Sequence, residues 1–182
     1  PTATLSDAHT LAELKAINNA LSGTLSLNDY TVDLTGSAAD LAAALAGSFA
    51  STYTGNIVIN DANSASIAAV DISTIAGTTN GTVTVSNDIN ITGTSAEVAA
   101  AVGNVNTFSG SPTAALSTDH TLAELKAINN KLSGTLTLNS YGEALSGSAA
   151  DIAAALAGTF ASTYTGNITI TDADAGNINA TD

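Results

Sequence analysis

The sequence repeats at a fixed offset, which equals the separation of His9 and His120. This repeat constrains the fold more than any other feature of the sequence. The stretch "HTLAELKAINNALSGTL" at residues 9–25 returns as "HTLAELKAINNKLSGTL" at residues 120–136, with sixteen of seventeen residues identical. Laid over residues 1–71 without a gap, residues 112–182 agree at 51 of 71 positions. The sequence therefore predicts one full unit, residues 1–111, and a partial second unit, residues 112–182, which is continuous with the first.

A shorter period lies inside the long one. An acidic residue followed by an aliphatic residue recurs at nearly regular spacing, and four consecutive spacings make up the long period. Its six copies are Glu13-Leu14, Asp40-Leu41, Asp71-Ile72, Glu97-Val98, Glu124-Leu125 and Asp151-Ile152. A period of roughly 20 to 50 residues is typical of solenoids and propellers. Each long unit is thus predicted to contain four short structural turns.

Local signals predict a helix and then a strand in each short unit. Five of the six acids follow a hydroxyl residue by three positions, as in Thr10-x-x-Glu13, which is the capping-box pattern of a helix start. Asp71 lacks this hydroxyl, so a short helix is predicted there. A glycine and alternating aliphatic residues come next, as in "GNIVIND" at residues 55–61, and indicate a strand with one buried face. Pro112 predicts a loop or a sheet edge in the fourth short unit.

These units predict an α/β fold, namely a parallel solenoid of helix–strand turns of about 27 residues, arranged like leucine-rich repeats. A unit of this size cannot bury its own apolar face, so neighbouring units are expected to complete one another's core. A tandem array of β-sandwich domains is the alternative. It accounts for the long period but not for the five helix caps.

Composition narrows the classes of partner. Sixteen acidic residues face three lysines and no arginine, which gives a formal net charge of −13 and argues against nucleic acid as a partner. No apolar run approaches the roughly 18 residues of a membrane span, so membrane insertion is not expected. The chain has no cysteine, which excludes disulfides and thiolate metal sites, and its 45% apolar content predicts a folded protein.

The residue pattern does not predict an enzyme. His9 and His120 are the only histidines, and they occupy the same position of the repeat, directly before the capping threonine. No nucleophile stands at a fixed offset from them, and the acids are spread along the chain rather than paired for acid–base chemistry. The sequence therefore predicts no catalytic residues and no bound organic cofactor.

Acidic residues at the strand ends are the candidate metal ligands. They are Asp29, Asp61, Asp88, Asp172 and Asp174. If successive corners of the coil stack, these carboxylates would repel one another, and a calcium ion, which takes six to eight oxygen ligands, would relieve the repulsion. The competing interpretation is that these aspartates bind the backbone amides of their own turns. The sequence leaves both interpretations open.

Hydroxyl residues at the outward strand positions suggest a second kind of surface. Thr24, Thr84 and Thr135 belong to three such runs. A flat ladder of hydroxyl groups would suit contact with a polysaccharide. Threonine is also favoured in strands for its shape alone, so the pattern does not show whether these residues serve ligand binding or only strand formation.

Two blocks carry a resemblance to a known group of proteins: "GTVTVSNDINITGTSAEVAAAV" at residues 81–102 and "SIAAVDISTIAGTTNGTV" at residues 66–83. They resemble the repeat regions of giant bacterial cell-surface proteins, above all the very large Ala/Thr/Asn/Asp-rich surface proteins of marine cyanobacteria, one of which is needed for swimming motility. The resemblance implies secretion, an extracellular location at the cell surface, and a structural, adhesive or motility-associated role. It carries over no catalytic residue.

The sequence thus predicts a non-enzymatic structural or adhesive repeat segment of a large bacterial surface protein, which acts as an extended rod or spacer. Its expected partners are neighbouring repeats of the same chain and cell-surface polysaccharide. The alternative function is a calcium-dependent surface-binding module with an unknown ligand.

Overall fold

The computed structural model describes residues 1–172, which form a mixed α/β fold with six helices and fourteen short strands. The helices are α1 (Leu11–Ala20), α2 (Ala38–Leu45), α3 (Ala69–Thr78), α4 (Ser95–Asn104), α5 (Leu122–Asn129) and α6 (Ala149–Leu156). The strands are β1 (Ala3–Thr4), β2 (Thr24–Ser26), β3 (Leu34–Gly36), β4 (Ser48–Phe49), β5 (Ile57–Ile59), β6 (Ser66–Ala68), β7 (Val83–Val85), β8 (Asn90–Gly93), β9 (Thr107–Phe108), β10 (Thr113–Leu116), β11 (Thr135–Thr137), β12 (Leu145–Gly147), β13 (Thr159–Phe160) and β14 (Ile168–Ile170). The predicted α/β class is confirmed. The β-sandwich alternative is wrong, because helices separate the strands and the strands pair in parallel.

The predicted hydroxyl caps start five of the helices. At the starts of α1, α4 and α5, the hydroxyl of Thr10, Thr94 or Thr121 accepts the backbone N–H of the glutamate three residues later. The glutamate carboxylate in turn accepts the N–H of the threonine, which completes a capping box. Serines begin α2 and α6 and accept the N–H of an aspartate in the same way. The local pattern therefore defines where these helices begin.

Helix α3 differs from its prediction. It was expected to be short because Asp71 lacks a hydroxyl cap, and its N-cap residue Ala68 indeed makes no side-chain cap bond. The helix nevertheless runs for ten residues. Ile72 and Ile75 are fully buried on it. Burial of one such side chain stabilises by about 1.5–3 kcal/mol, more than the roughly 1 kcal/mol that a cap contributes.

The strands pair with partners about one short unit away along the chain. The pairs closest in sequence include Ala3 with Leu25, and the most widely separated include Ile57 with Val83. The pairing produces four sheets with the strand orders β1-β2-β4, β3-β5-β7-β9, β6-β8-β10-β11-β13 and β12-β14. Consecutive helices pack against one another from α1 to α6. Strands are therefore held by strands about one short unit away, and each helix by the helices next to it in sequence.

The boundary between the two copies lies inside a sheet. Strand β10, the first strand of the second copy, lies between β8 of the first copy and β11. The loop predicted at Pro112 is confirmed, since residues 109–112 form neither helix nor strand, whereas the predicted sheet edge is wrong, because β10 lies inside the sheet. Proline stands just before β10, where no donor is required, and the ladder begins with the Thr113 N–H, which donates to Ile89 O at 2.9 Å.

A single hydrophobic cluster extends from Leu14 in the first copy to Ala155 in the second. In the five-stranded sheet, Ile67, Ile91, Ala114 and Leu136 occupy one register row and are all buried. Val98 and Leu125 on the helices belong to the same cluster and are fully buried. The core is thus shared between the copies.

Candidate functional site

Four of the five predicted calcium ligands lie in the described part of the chain, and each binds a backbone amide. The Asp29 carboxylate accepts the N–H of Thr31 at 2.8 Å and its hydroxyl at 2.7 Å. The Asp88 carboxylate accepts the N–H of Ser111 at 2.5 Å. The bonds to Thr31 lower the pKa of Asp29, so its carboxylate is ionised at neutral pH. Asp174 lies outside the described residues.

Asp61 and Asp172 cap helices that precede them in the chain. The Asp61 carboxylate accepts the N–H of Ala38, the first residue of α2, at 2.7 Å. The Asp172 carboxylate accepts the N–H of Ala149, the first residue of α6, also at 2.7 Å. Negative charge at a helix N-terminus is favourable because the helix dipole is positive there. Each of these two helices thus has a second cap, supplied by the short unit that follows it.

The structure does not bring the predicted ligands together. Within residues 1–172, no group of three or more His, Cys, Asp or Glu side chains is placed to hold a metal ion. The aspartates act as amide acceptors, as the competing interpretation held, although Asp61, Asp88 and Asp172 bind a distant segment rather than their own turn. Calcium binding stays a prediction.

Each copy contains a histidine–tyrosine pair in which the histidine is buried. His9 Nε2 lies 3.1 Å from the Tyr53 hydroxyl, and that hydroxyl donates to Val32 O at 2.6 Å. The second copy repeats the arrangement with His120, Tyr164 and the carbonyl of Glu143, at 3.1 and 2.7 Å. Because the tyrosine proton goes to the carbonyl, the histidine Nε2 must carry a proton and donate it.

The surroundings keep both histidines neutral. Burial lowers the pKa of His9 against the opposing effects of Asp29 and Glu13, and it lowers the pKa of His120 against Glu143, Asp119 and Glu124. The other ring nitrogen, Nδ1, is buried and makes no hydrogen bond within residues 1–172 in either histidine. A proton on Nδ1 would lack an acceptor there. In both copies the histidine therefore acts as a hydrogen-bond donor to the tyrosine.

All three lysines connect neighbouring helices. Lys15 on α1 forms an ion pair with Asp40 on α2, and Lys126 on α5 forms the same pair with Asp151 on α6. Lys131 donates to the carbonyl of Val105, the C-cap residue of α4, at 3.3 Å. The hydrogen bond from Lys15 lowers the pKa of Asp40. Since three lysines face sixteen acids and each lysine serves a helix contact, the surface stays strongly acidic.

The hydroxyl ladder predicted on the outward strand positions is not formed. Thr24, Thr84 and Thr135 lie in three different sheets. The five-stranded sheet instead aligns Thr135 in one row with residues outside the predicted ladder, namely Ser66, Asn90, Thr113 and Thr159. Sequence reasoning missed this row because it depends on which strands pair. Contact with polysaccharide stays a prediction.

Several surface grooves lie around α1. One has a volume of about 470 Å³ and is lined by Leu11, Ala12, Lys15, Ala16, Asn19 and Asp40. Its walls are mainly helix side chains, and its charged pair is already formed between Lys15 and Asp40. The two histidines lie elsewhere, buried in the core.

Comparison of the chain with family models, with curated proteins and with solved structures finds no match. Among residues 1–172, no helix has the length and apolar character needed to cross a membrane.

Proposed function

We propose that the chain is a solenoid repeat segment of a large bacterial cell-surface protein, and that it acts outside the cell as a non-enzymatic rod or spacer. The observation that carries the proposal is the continuity across residues 111 and 112. Strand β8 of one copy pairs with β10 of the next, and α4 packs against α5. Repeats that share a sheet and a core form an extended particle rather than separate globules.

The contacts support a one-dimensional arrangement. Each helix packs on the next one in sequence, and the links that join turns recur at equivalent positions of both copies. These links include the Lys15–Asp40 and Lys126–Asp151 ion pairs and the Asp61 and Asp172 caps. In such an arrangement each added turn contributes a new interface, so stability increases with the number of turns.

The charge supports an exposed role. A net charge of −13 on 182 residues, with every lysine used between helices, leaves an acidic surface that keeps neighbouring molecules apart. The resemblance of residues 66–102 to bacterial surface repeats supports the extracellular location and the structural or adhesive role.

The test compares chains of one, two and three long units by small-angle scattering and thermal unfolding. Each long unit has four turns, which extend the particle by roughly 19 Å at the strand spacing of about 4.8 Å and by roughly 36 Å at a helix spacing of about 9 Å. We expect the maximum dimension to grow within this range per unit, and the melting temperature to rise. Particles that stay compact would contradict the rod.

A further inference from the structure

The two copies differ in how much of one surface is covered. We define the N-terminal face by Ala3, Leu5, Asp7, Ile17 and Leu21. Its apolar members are only partly buried. Their counterparts in the second copy are Ala114, Leu116, Ile128 and Leu132, which are 1%, 6%, 0% and 6% exposed. The same repeat positions are thus partly exposed in the first copy and buried in the second.

The structure shows what closes the surface in the second copy. Strand β10 has β8 on one side and β11 on the other, whereas its counterpart β1 has only β2 within residues 1–172. Helix α4 packs against α5, the counterpart of α1. The Ser117 N–H donates to Gly93 O at 2.8 Å, and the Ser95 N–H donates to the Thr118 hydroxyl at 3.1 Å. The cover is therefore the segment from β8 through α4.

The first copy carries the polar group that such a cover requires. Thr118 binds the N–H of Ser95, the first residue of α4, and the residue at the matching position of the first copy is Asp7. Asp61 and Asp172 bind the first N–H of a helix in the same way. The Asp7 carboxylate accepts a bond from the neighbouring Ser6 hydroxyl at 3.3 Å. It lines a groove of about 290 Å³ together with Leu5, Glu13 and Ile17.

We infer that the N-terminal face binds a segment with the sequence of residues 66–111, contributed by another repeat unit. The segment's β8 strand pairs with β1, its α4 helix packs on α1, and Asp7 caps the first turn of that helix. The inference rests on the proposed function, since it names the contact by which units join. The partner is recognised by a strand edge, an apolar helix face and a helix N-terminus that meets a carboxylate.

The experiment adds residues 66–111 directly before Pro1 of the full chain, in the register in which residue 111 precedes residue 112. The protein has no cysteine, so a single cysteine reports local exposure. Leu5→Cys is introduced into the original and the extended chain, and its reaction with a small thiol reagent is followed under native conditions. Leu116→Cys, at the matching covered position, serves as the buried reference.

We expect Leu5→Cys to react at least tenfold more slowly in the extended chain, and Leu116→Cys to react slowly in both. An extended chain with Val98→Asp in the added segment should return Leu5→Cys to the fast rate, because this valine is fully buried in α4. Asp7→Ala should lower the melting temperature of the extended chain more than that of the original chain. Unchanged fast labelling in the extended chain overturns the inference.

Scattering of the same chains separates this inference from the proposed function. If labelling stays fast while the particle lengthens, the inference about the docking surface is wrong and the proposal of a rod is supported. If labelling slows while the particle stays compact, the inference about the docking surface is supported and the proposal of a rod is wrong.

Discussion

The Tyr53 hydroxyl lies 3.1 Å from His9 Nε2 across 44 residues of sequence, and Tyr164 stands in the same relationship to His120. The ring centroids are 5.9 and 5.8 Å apart in the two pairs, with an edge-on arrangement. Each pair ties the loop before a helix to a segment 44 residues further along the chain. We regard it as a clamp that spans more of the sequence than any strand pair within either copy does.

Removing the tyrosine hydroxyl should therefore destabilise the protein. Tyr53→Phe removes the bond to Val32 O and leaves the His9 Nε2–H without an acceptor, and the expected loss is about 1–3 kcal/mol in the free energy of unfolding. The measurement is urea unfolding of Tyr53→Phe, His9→Phe and the double variant. If the two single losses simply add, the residues are not coupled and the clamp is wrong.

Stability should fall as the pH is lowered from 7.5 to 5.5. Burial places the pKa of both histidines below 6.5 in the folded protein, so the unfolded chain takes up protons in this range that the folded chain resists. The contribution is fully present above pH 6.5 and is lost as the pH falls through the folded pKa. The variant His9→Phe/His120→Phe should show a flatter profile. If stability depends on pH equally in both proteins, groups other than the histidines cause the effect.

Removing a helix cap and adding one should change the free energy of unfolding in opposite directions. Thr10→Ala and Thr121→Ala should each lower the free energy of unfolding by about 1 kcal/mol. Ala68→Ser, at the extended and uncapped start of α3, should raise it by up to about 1 kcal/mol. Thermal or urea unfolding measures all three. No loss in either threonine variant would mean that these helices begin elsewhere.

Two glycines should respond to alanine in opposite directions. A Cβ at Gly55 would collide with the carbonyl of Val32 on the adjoining segment, and the expected cost is about 1–3 kcal/mol. Gly103 lies inside α4, and outside its own helix turn no atom comes within 4 Å of an added Cβ, so alanine should stabilise by about 0.5–1 kcal/mol. The two variants are compared by urea unfolding. A neutral Gly55→Ala would show that the segments approach less closely.

Asp61 provides a test between capping and calcium binding. Asp61→Ala should cost about 1 kcal/mol, because it removes the acceptor for the first N–H of α2. The loss should be the same in EDTA and in millimolar calcium. Asp61→Asn, which keeps an acceptor oxygen, should lose less. If the loss depends on calcium, the carboxylate is a metal ligand and the prediction made from the sequence is the better one.

The features that the sequence predicts well are local. The five hydroxyl caps depend on residues three positions apart, and the strand in "GNIVIND" at residues 55–61 depends on alternation within a few residues. The class of the fold follows from these elements and their order. The prediction of a short α3 was wrong because burial of Ile72 and Ile75 outweighs the missing cap.

What the sequence does not predict is which distant segments meet. The sequence around Pro112 predicts a loop or a sheet edge and gives no sign that the strand after it, β10, lies between β8 and β11. The acids of the strand ends were expected to be neighbours, whereas Asp61 and Asp172 reach helix starts in the preceding short unit. The histidine–tyrosine pair was missed as well. A signal existed, since the sequence separation of His9 and Tyr53 returns unchanged between His120 and Tyr164.

The short sequence separation between paired strands has a consequence for folding kinetics. Partners in every named pair of residues 1–172 lie about one short unit apart in sequence, so closing each pair costs a similar, modest chain entropy however long the protein becomes. Folding rates fall as contacts grow more distant in sequence, and here that distance does not grow with added units. A chain of this kind can fold in the order in which it is synthesised, each new strand pairing with one that has already formed.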